Sequence, residues 1–109
     1  MENTTVSEGK NMAIISYITI IGTVVAFIMN NDKKNSFASF HIRQMIGLFL
    51  LSIVVSLIIR FANLGVSGSF LNLIPFVLWI IGFIGAIQGQ EKKVPVLGDM
   101  FQDWFKGIG

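Results

Sequence analysis

The sequence predicts an all-α integral membrane protein with three transmembrane helices, and three observations lead to that fold class. First, 53% of the 109 residues are hydrophobic and only 13% are charged, whereas a soluble domain carries about 25% charged residues. Second, three long segments lack Asp, Glu, Lys and Arg altogether: Met12–Met29, Met45–Ile59 and Phe70–Ile87. Third, these segments lack the polar face that every helix of a soluble bundle needs. We expect one membrane domain over residues 1–109.

The first apolar segment, 12–29, is predicted to span the membrane because about 18 helical residues cross about 27 Å. The polar residues before it lack the basic leader and cleavage site of a secretory signal, so the segment is expected to be retained. Gly22 and Ala26 form a small-x-x-x-small pair that favours close helix packing, although small residues are also common in spanning helices generally. The small and polar residues on that side are Ser16, Thr19, Thr23 and Ala26.

The second predicted span covers 45–62 and follows a polar hinge, Asn30–Gln44. Asn35 or Ser36 could cap a helix at its start. Phe37 and Phe40 are three residues apart and share a helix face. We therefore expect an amphipathic lead-in from Phe37 to Gln44 that lies in the headgroup region before the span begins.

The third predicted span covers 70–87. Two overlapping small-x-x-x-small pairs, Gly82–Ala86 and Gly85–Gly89, give the strongest helix-packing signal in the chain. Trp79 lies in the middle of this span rather than at a membrane interface, where tryptophan is enriched. Its position therefore indicates a contact with protein.

The C-terminal residues predict an amphipathic helix at about 96–106. After three spans we expect it to lie in the membrane interface, with Phe101, Trp104 and Phe105 inserted as anchors. The alternative is that this face docks on a partner protein. Apolar residues recur at helical spacing at Leu97, Met100, Phe101, Trp104, Phe105 and Ile108.

The distribution of basic residues predicts the orientation. With three spans, the N-terminus and the second loop share one side, which carries Lys10 and Arg60. The hinge and the tail share the other side, which carries the remaining six Lys and Arg residues. Basic loops stay in the cytoplasm, so the N-terminus is expected outside and the C-terminus inside.

His41, Arg43 and Gln44 form the candidate binding cluster. The guanidinium of Arg43 could bind a lipid phosphate or the acidic groups of a partner. Alternatively, these residues only mark a helix start, with Arg43 as a topology anchor. Catalysis by His41 would need an orienting carboxylate and a nucleophile, and the only carboxylate close in sequence is Asp32. We therefore predict no catalytic residue and no enzymatic activity.

Composition excludes several other classes. The net charge of +2 and the lack of a basic stripe interleaved with aromatics argue against nucleic-acid binding. One histidine and no cysteine do not support a metal site, and we expect no cofactor. No acidic residue falls within a predicted span, which argues against an ion-coupled transporter.

Phe40-His41-Ile42-Arg43-Gln44 stands between two predicted spans, and Pro95-Val96-Leu97-Gly98 follows the third, after Gly89. In these residues the chain resembles a family of small bacterial membrane proteins. That family is related to the membrane subunit of the Tic protein import translocon of the chloroplast inner envelope. The resemblance implies a bacterial inner-membrane location and a link to protein translocation.

These observations predict a non-enzymatic membrane component. We expect it to contact membrane lipid and to assemble with copies of itself or with other membrane proteins. The alternative function is that of a holin-like protein, which permeabilises the membrane.

Overall fold

The computed structural model describes residues 2–18 and 20–107, and all regular elements among them are helical. The all-α fold class is therefore confirmed for this part of the chain. Thr19 and Ile108, two members of the predicted helix faces, lie outside it. The helices are α1 (Glu2–Ile18), α2 (Ile20–Lys33), α3 (Ser36–Phe61), α4 (Gly65–Gly68), α5 (Leu73–Ile87) and α6 (Gly98–Trp104), with a 3-10 turn (Ser69–Asn72) between α4 and α5.

Two stretches within the described ranges are long and apolar enough to cross a membrane, and not the three that were predicted. One is α3, and the other is the continuous helical stretch Gly65–Ile87. At about 1.5 Å per residue they measure about 39 Å and about 35 Å, which exceeds a hydrocarbon core of about 30 Å. Both begin earlier than predicted, because the hinge and the glycine-containing second loop continue as helix.

The predicted first span is instead divided between α1 and α2, which pack side by side. The hydroxyl of Thr23 donates a hydrogen bond to the carbonyl of Ser16 at 2.6 Å, a pairing that residues seven apart cannot make within one α-helix. Met12 and Ala26 belong to one buried apolar cluster. These contacts make α1 and α2 an antiparallel helical hairpin. Its arms measure about 25 Å and about 21 Å, so neither arm alone crosses the bilayer.

The hairpin brings the beginning of α1 next to the beginning of α3. The side-chain amide of Asn35 donates to the carbonyl of Thr5 at 2.8 Å, and a Cβ at Gly9 would overlap the Asn35 side chain. We call this end of the molecule, where residues 88–107 also lie, the hinge end. The expectation that the N-terminus and the hinge lie on opposite sides of the membrane depended on a third span and does not hold in this structure.

The expected surface lead-in over Phe37–Gln44 is wrong. Those residues are the first turns of α3, and Phe37 and Phe40 are buried. Both rings therefore pack inside the protein rather than in the headgroup region. Burial of a phenylalanine side chain contributes about 1.5–3 kcal/mol, which favours this arrangement over an exposed one.

The protein core lies almost entirely at the hinge end. Val94 and Phe101 from the tail pack there against the helices in the main cluster. Beyond Leu48, α3 is largely exposed, and so is the first half of the Gly65–Ile87 stretch. Soluble monomers rarely expose such continuous apolar surface, and the molecule is 49 Å long, which suits a bilayer. The exposed apolar residues of these two stretches include Leu50, Ile53, Val54, Leu57, Ile58, Phe61, Phe70, Leu73, Ile74, Phe76 and Val77.

Helix α6 is shorter than predicted and crosses α3 at Gly47. A Cβ at Gly47 would overlap the ring of Phe101, so glycine permits the close approach. Phe101 is buried by this contact and is not the membrane anchor that the sequence suggested, whereas Trp104 is 63% exposed. The turn before α6 places Val96 at φ 69°, and the N–H of Leu97 donates to the carbonyl of Pro95 at 2.7 Å.

Candidate functional site

A polar cluster at the start of α3 fixes the hinge. The Asn35 side chain caps α3 by accepting the N–H of Ala38 at 3.0 Å, as expected for an asparagine N-cap. Asn30 is fully buried; its amide oxygen accepts the N–H of Asn35 at 2.8 Å, and its nitrogen donates to the hydroxyl of Ser39 at 2.8 Å. These bonds hold the end of α2 against the start of α3, so the hinge has a defined shape.

A second polar cluster links α1 to α3 through Tyr17, His41 and Gln44. The Tyr17 hydroxyl lies 2.6 Å from His41 Nδ1, and Gln44 Nε2 donates to that hydroxyl at 2.9 Å. His41 Nε2 lies 2.9 Å from the carbonyl oxygen of Gln90. A carbonyl oxygen only accepts, so Nε2 carries the proton and Nδ1 accepts from Tyr17. Every donor in this chain of hydrogen bonds therefore points the same way, from Gln44 to Gln90.

The cluster binds the extended segment that follows α5. Gln44 Nε2 donates to the carbonyl of Lys92 at 3.1 Å, and Gln44 Oε1 accepts the N–H of Val94 at 2.9 Å. His41 holds the carbonyl of Gln90 in the same segment. The two side chains of α3 thus pair with backbone groups of alternate residues, as one strand edge pairs with another. These bonds involve only backbone groups of the segment and none of its side chains.

Two glycines of α5 give this arrangement its space. A Cβ at Gly82 would lie 2.8 Å from both the Gln44 amide nitrogen and the Tyr17 hydroxyl oxygen. A Cβ at Gly85 would lie 2.7 Å from the Cβ of Lys92. Both positions therefore favour glycine because a larger residue would displace the cluster or the extended segment.

The carbonyl groups at the end of α1 are also satisfied by side chains. The last carbonyls of a helix have no partner within the helix, and in a bilayer every backbone polar group needs one. The carbonyl of Tyr17 accepts from the indole of Trp79 at 2.7 Å, and that of Ser16 accepts from Thr23. The predicted protein contact of Trp79 is confirmed, and it supports the end of the hairpin.

The structure separates the predicted cluster of His41, Arg43 and Gln44. His41 and Gln44 are fully buried and hold the chain's own backbone, so their donors do not face an external phosphate. Arg43 points to a different side of α3, where Nη2 donates to the carbonyl of Lys106 at 2.9 Å. Of the three, only Arg43 borders the surface.

The predicted helix-packing residues lie in different contacts. Ala26 is buried in the hairpin cluster with Ala38 and Ile42, whereas Gly22 is half-buried. Ala86 is buried in the main core. Gly89 has φ 72°, a value that favours glycine, and a Cβ there would lie 2.9 Å from Val6.

The predicted cap at Asn35 is confirmed, but sequence reasoning missed Tyr17 and Asn30 as parts of the polar clusters. Tyr17 is the chain's only tyrosine and stands in a segment without charged residues. Buried tyrosine hydroxyls usually find a partner, so this isolated hydroxyl was the available signal. Its partners, His41 and Gln44, are at least 24 residues away in sequence and become adjacent only in the fold.

No group of His, Cys, Asp and Glu that could hold a metal ion occurs within residues 2–18 and 20–107. Among residues 5–18 and 20–107, all buried side-chain nitrogens and oxygens have hydrogen-bond partners. The arrangement therefore acts as a structural connection: it fixes the segment after α5 to the helical hairpin and to α3.

Comparison with known proteins identifies relatives but no solved structure. The chain is 31% identical over 98 residues to UPF0132 membrane protein MJ1443 of Methanocaldococcus jannaschii. The aligned residues cover 89% of this chain and 87% of that protein. It is 29% identical over 77 residues to UPF0132 membrane protein MJ1527 of the same organism, covering 69% of this chain and 55% of that protein. No protein-family model and no solved structure matches the chain.

These relatives overturn the resemblance inferred from the sequence. They are archaeal UPF0132 membrane proteins, so the assignment to a bacterial family related to the Tic translocon is wrong. The residues that suggested it, including His41 and Gln44, have structural contacts within this chain. Because the alignment with MJ1443 covers nearly nine-tenths of each of the two sequences, this chain belongs to the UPF0132 family of membrane proteins.

Proposed function

We propose that this protein is a non-enzymatic component of a membrane protein assembly. The observation that carries the proposal is the uneven packing along α3. At the hinge end α3 is covered by the hairpin, by α5 and by α6, whereas beyond Leu48 it contacts mainly the Gly65–Ile87 stretch. The part of the molecule made of α3 beyond Leu48 and the helical residues packed beside it, which we call the far half, therefore offers two apolar helices for further packing.

Polar side chains on this far half support association with protein. Ser52 and Ser56 are four residues apart on α3, and Ser52, together with Asn72, lines an open cavity of about 310 Å³ between α3 and α5. Within lipid, serine and asparagine side chains form hydrogen bonds across helices. A second helix packed there would supply partners that hydrocarbon chains cannot.

We further propose that the hinge end faces the cytoplasm, together with both termini. Seven of the eight Lys and Arg residues lie at that end, and only Arg60 lies near the other end. Lys10 follows Gly9, which touches Asn35, so the start of α1 belongs to the hinge end. Because basic segments stay in the cytoplasm, this split favours an N-terminus inside.

Site-specific crosslinking tests the assembly. The chain has no cysteine, so single cysteines can carry a benzophenone label in native membranes. We expect labels at Leu57 and Ile74, both on the far half, to give discrete protein adducts that mass spectrometry can identify. The control is Ile28, an exposed apolar residue of the hairpin.

Identical adducts from Leu57 and Ile28 would contradict a specific assembly surface. Dye entry into cells on overexpression, without crosslinked partners, would support the membrane-permeabilising alternative instead.

A further inference from the structure

An apolar recess lies where α6 crosses α3. It has a volume of about 200 Å³, and its walls carry almost no polar surface. The side of α6 that faces it includes Trp104 and Phe105, and α3 contributes residues beyond Gly47. The lining residues are Gly47, Leu50, Leu51, Val54, Leu97, Phe101, Trp104 and Phe105.

The recess and a pair of basic side chains lie on opposite sides of the same crossing. Arg43, Gly47 and Leu51 are spaced four residues apart, so they share one face of α3. α6 rests on Gly47. Leu51 therefore lies on the side of α6 away from the hinge end, and Arg43 lies on the side toward the hinge end. The recess therefore lies on the side of α6 away from the hinge end, and the Arg43 guanidinium lies on the side toward the hinge end.

Lys106 brings a second positive charge to the same place. It directly follows Phe105, which lines the recess, and its carbonyl accepts a hydrogen bond from Arg43 Nη2 at 2.9 Å. Its ammonium group is exposed and has a long contact of 3.7 Å with Asp103. At the other end of α6, Lys93 is paired with Asp99 at 2.6 Å. The positive charge near the recess is therefore concentrated at the C-terminal end of α6.

We propose that the recess holds an acyl chain of an anionic phospholipid whose phosphate contacts Arg43 and Lys106. The apolar walls fit a hydrocarbon chain and exclude polar ligands. The two basic groups fit a phosphodiester, since guanidinium and ammonium groups are the usual phosphate-binding side chains. With the phosphate at the headgroup level beside Arg43, Trp104 would lie in the interface, where amphipathic rings are enriched.

Fluorescence quenching by brominated lipids tests this site. The full-length protein is placed in nanodiscs of phosphatidylcholine that contain a small fraction of dibrominated phosphatidylglycerol or of dibrominated phosphatidylcholine. Subtraction of the signal of the Trp104→Phe variant isolates Trp104 without altering Trp79. A basic residue near the surface enriches anionic lipid roughly fivefold, so brominated phosphatidylglycerol is expected to quench Trp104 several times more effectively than brominated phosphatidylcholine at equal content.

Charge variants separate this site from general surface attraction. Lys106→Gln is expected to lower the preference for phosphatidylglycerol, and Asp103→Asn is expected to raise it because Lys106 loses its acidic neighbour. Arg60→Gln, at the opposite end of α3, should leave the preference unchanged. Equal quenching by the two lipids in the unmodified protein, or an equal loss in Arg60→Gln, would overturn the proposal.

The Val54→Phe variant tests the acyl-chain part. A phenyl ring at this position fills the recess and leaves the charges in place, so the preference for phosphatidylglycerol should fall. A preference unchanged by Val54→Phe would show that no chain occupies the recess and would overturn the proposal in this form.

Discussion

At the scale of single residues, the protein depends on hydrogen bonds that leave no buried polar side chain unpaired in the described residues. His41 and Gln44 bind backbone groups of the segment after α5, and Tyr17 connects them to the hairpin. A buried donor or acceptor that loses its partner costs about 1–3 kcal/mol. Each of these side chains should therefore contribute measurably to folding.

The Gln44→Leu variant should release the segment around Val94. The leucine cannot accept the N–H of Val94 or donate to the carbonyl of Lys92, so two backbone groups lose their partner. We expect a loss of stability of about 2 kcal/mol or more and faster hydrogen exchange at the Val94 amide. Gln88→Leu, at an exposed position just after α5, is the control and should change neither quantity.

The proton of His41 should reside on Nε2. Since His41 is the only histidine, nitrogen NMR of protein labelled with ¹⁵N-histidine reports this ring alone. In a neutral ring, the carbonyl acceptor at Gln90 places the proton on Nε2, so that Nδ1 accepts from the hydroxyl of Tyr17. Tyr17→Phe should shift the Nδ1 resonance because its donor is removed. A spectrum with the proton on Nδ1 would contradict the direction of the hydrogen-bond chain.

At the scale of elements, the central feature is the hairpin of α1 and α2. The length of the uncharged segment predicted one span over 12–29, but an apolar segment of that length fits either a span or two short helices. The contact between Thr23 and Ser16 decides between them, and such a pairing across two helices leaves no periodic signal. The other two spans were predictable because each lies within one continuous apolar helical stretch, although both stretches begin earlier than the polar residues suggested.

Helix α6 should depend on the glycine at its crossing with α3. In Gly47→Ala the added methyl group meets the ring of Phe101, so α6 must move away from α3. Overpacking of this kind typically costs about 1–3 kcal/mol. We expect earlier proteolysis of the tail and faster exchange at the Phe101 amide, which donates to the carbonyl of Leu97.

Gly107→Ala is the matched control, because a Cβ at Gly107 meets no atom within 4 Å. Equal behaviour of the two variants would show that the close approach at Gly47 does not hold α6.

At the scale of the whole molecule, the packing is concentrated at one end of a structure 49 Å long. The hinge end combines the hairpin, both spans and the tail, whereas the far end consists of two apolar helices. Composition alone was sufficient to predict a membrane protein, because charged residues are rare and absent from three long segments. The candidate site was only partly predictable. The sequence singled out His41 and Gln44, but their shared side-chain partner Tyr17 is 24 and 27 residues away, and their backbone partners are 48 to 50 residues away.

The same uneven packing explains why the orientation must be revised. With a hairpin in place of the first span, the start of α1 lies beside the hinge, and the basic residues divide seven to one rather than six to two. The arrangement that we propose therefore has two crossings and places both described ends on one side of the membrane.

Cysteine accessibility in sealed vesicles tests this arrangement most directly. Single cysteines at Ser7, Lys33 and Ser67, all exposed positions, are labelled with a membrane-impermeant maleimide in right-side-out and in inverted vesicles. We expect Ser7→Cys and Lys33→Cys to react together in inverted vesicles, and Ser67→Cys to react only in right-side-out vesicles. Labelling of Ser7→Cys together with Ser67→Cys would show that the first apolar segment crosses the membrane and would contradict the two-span account.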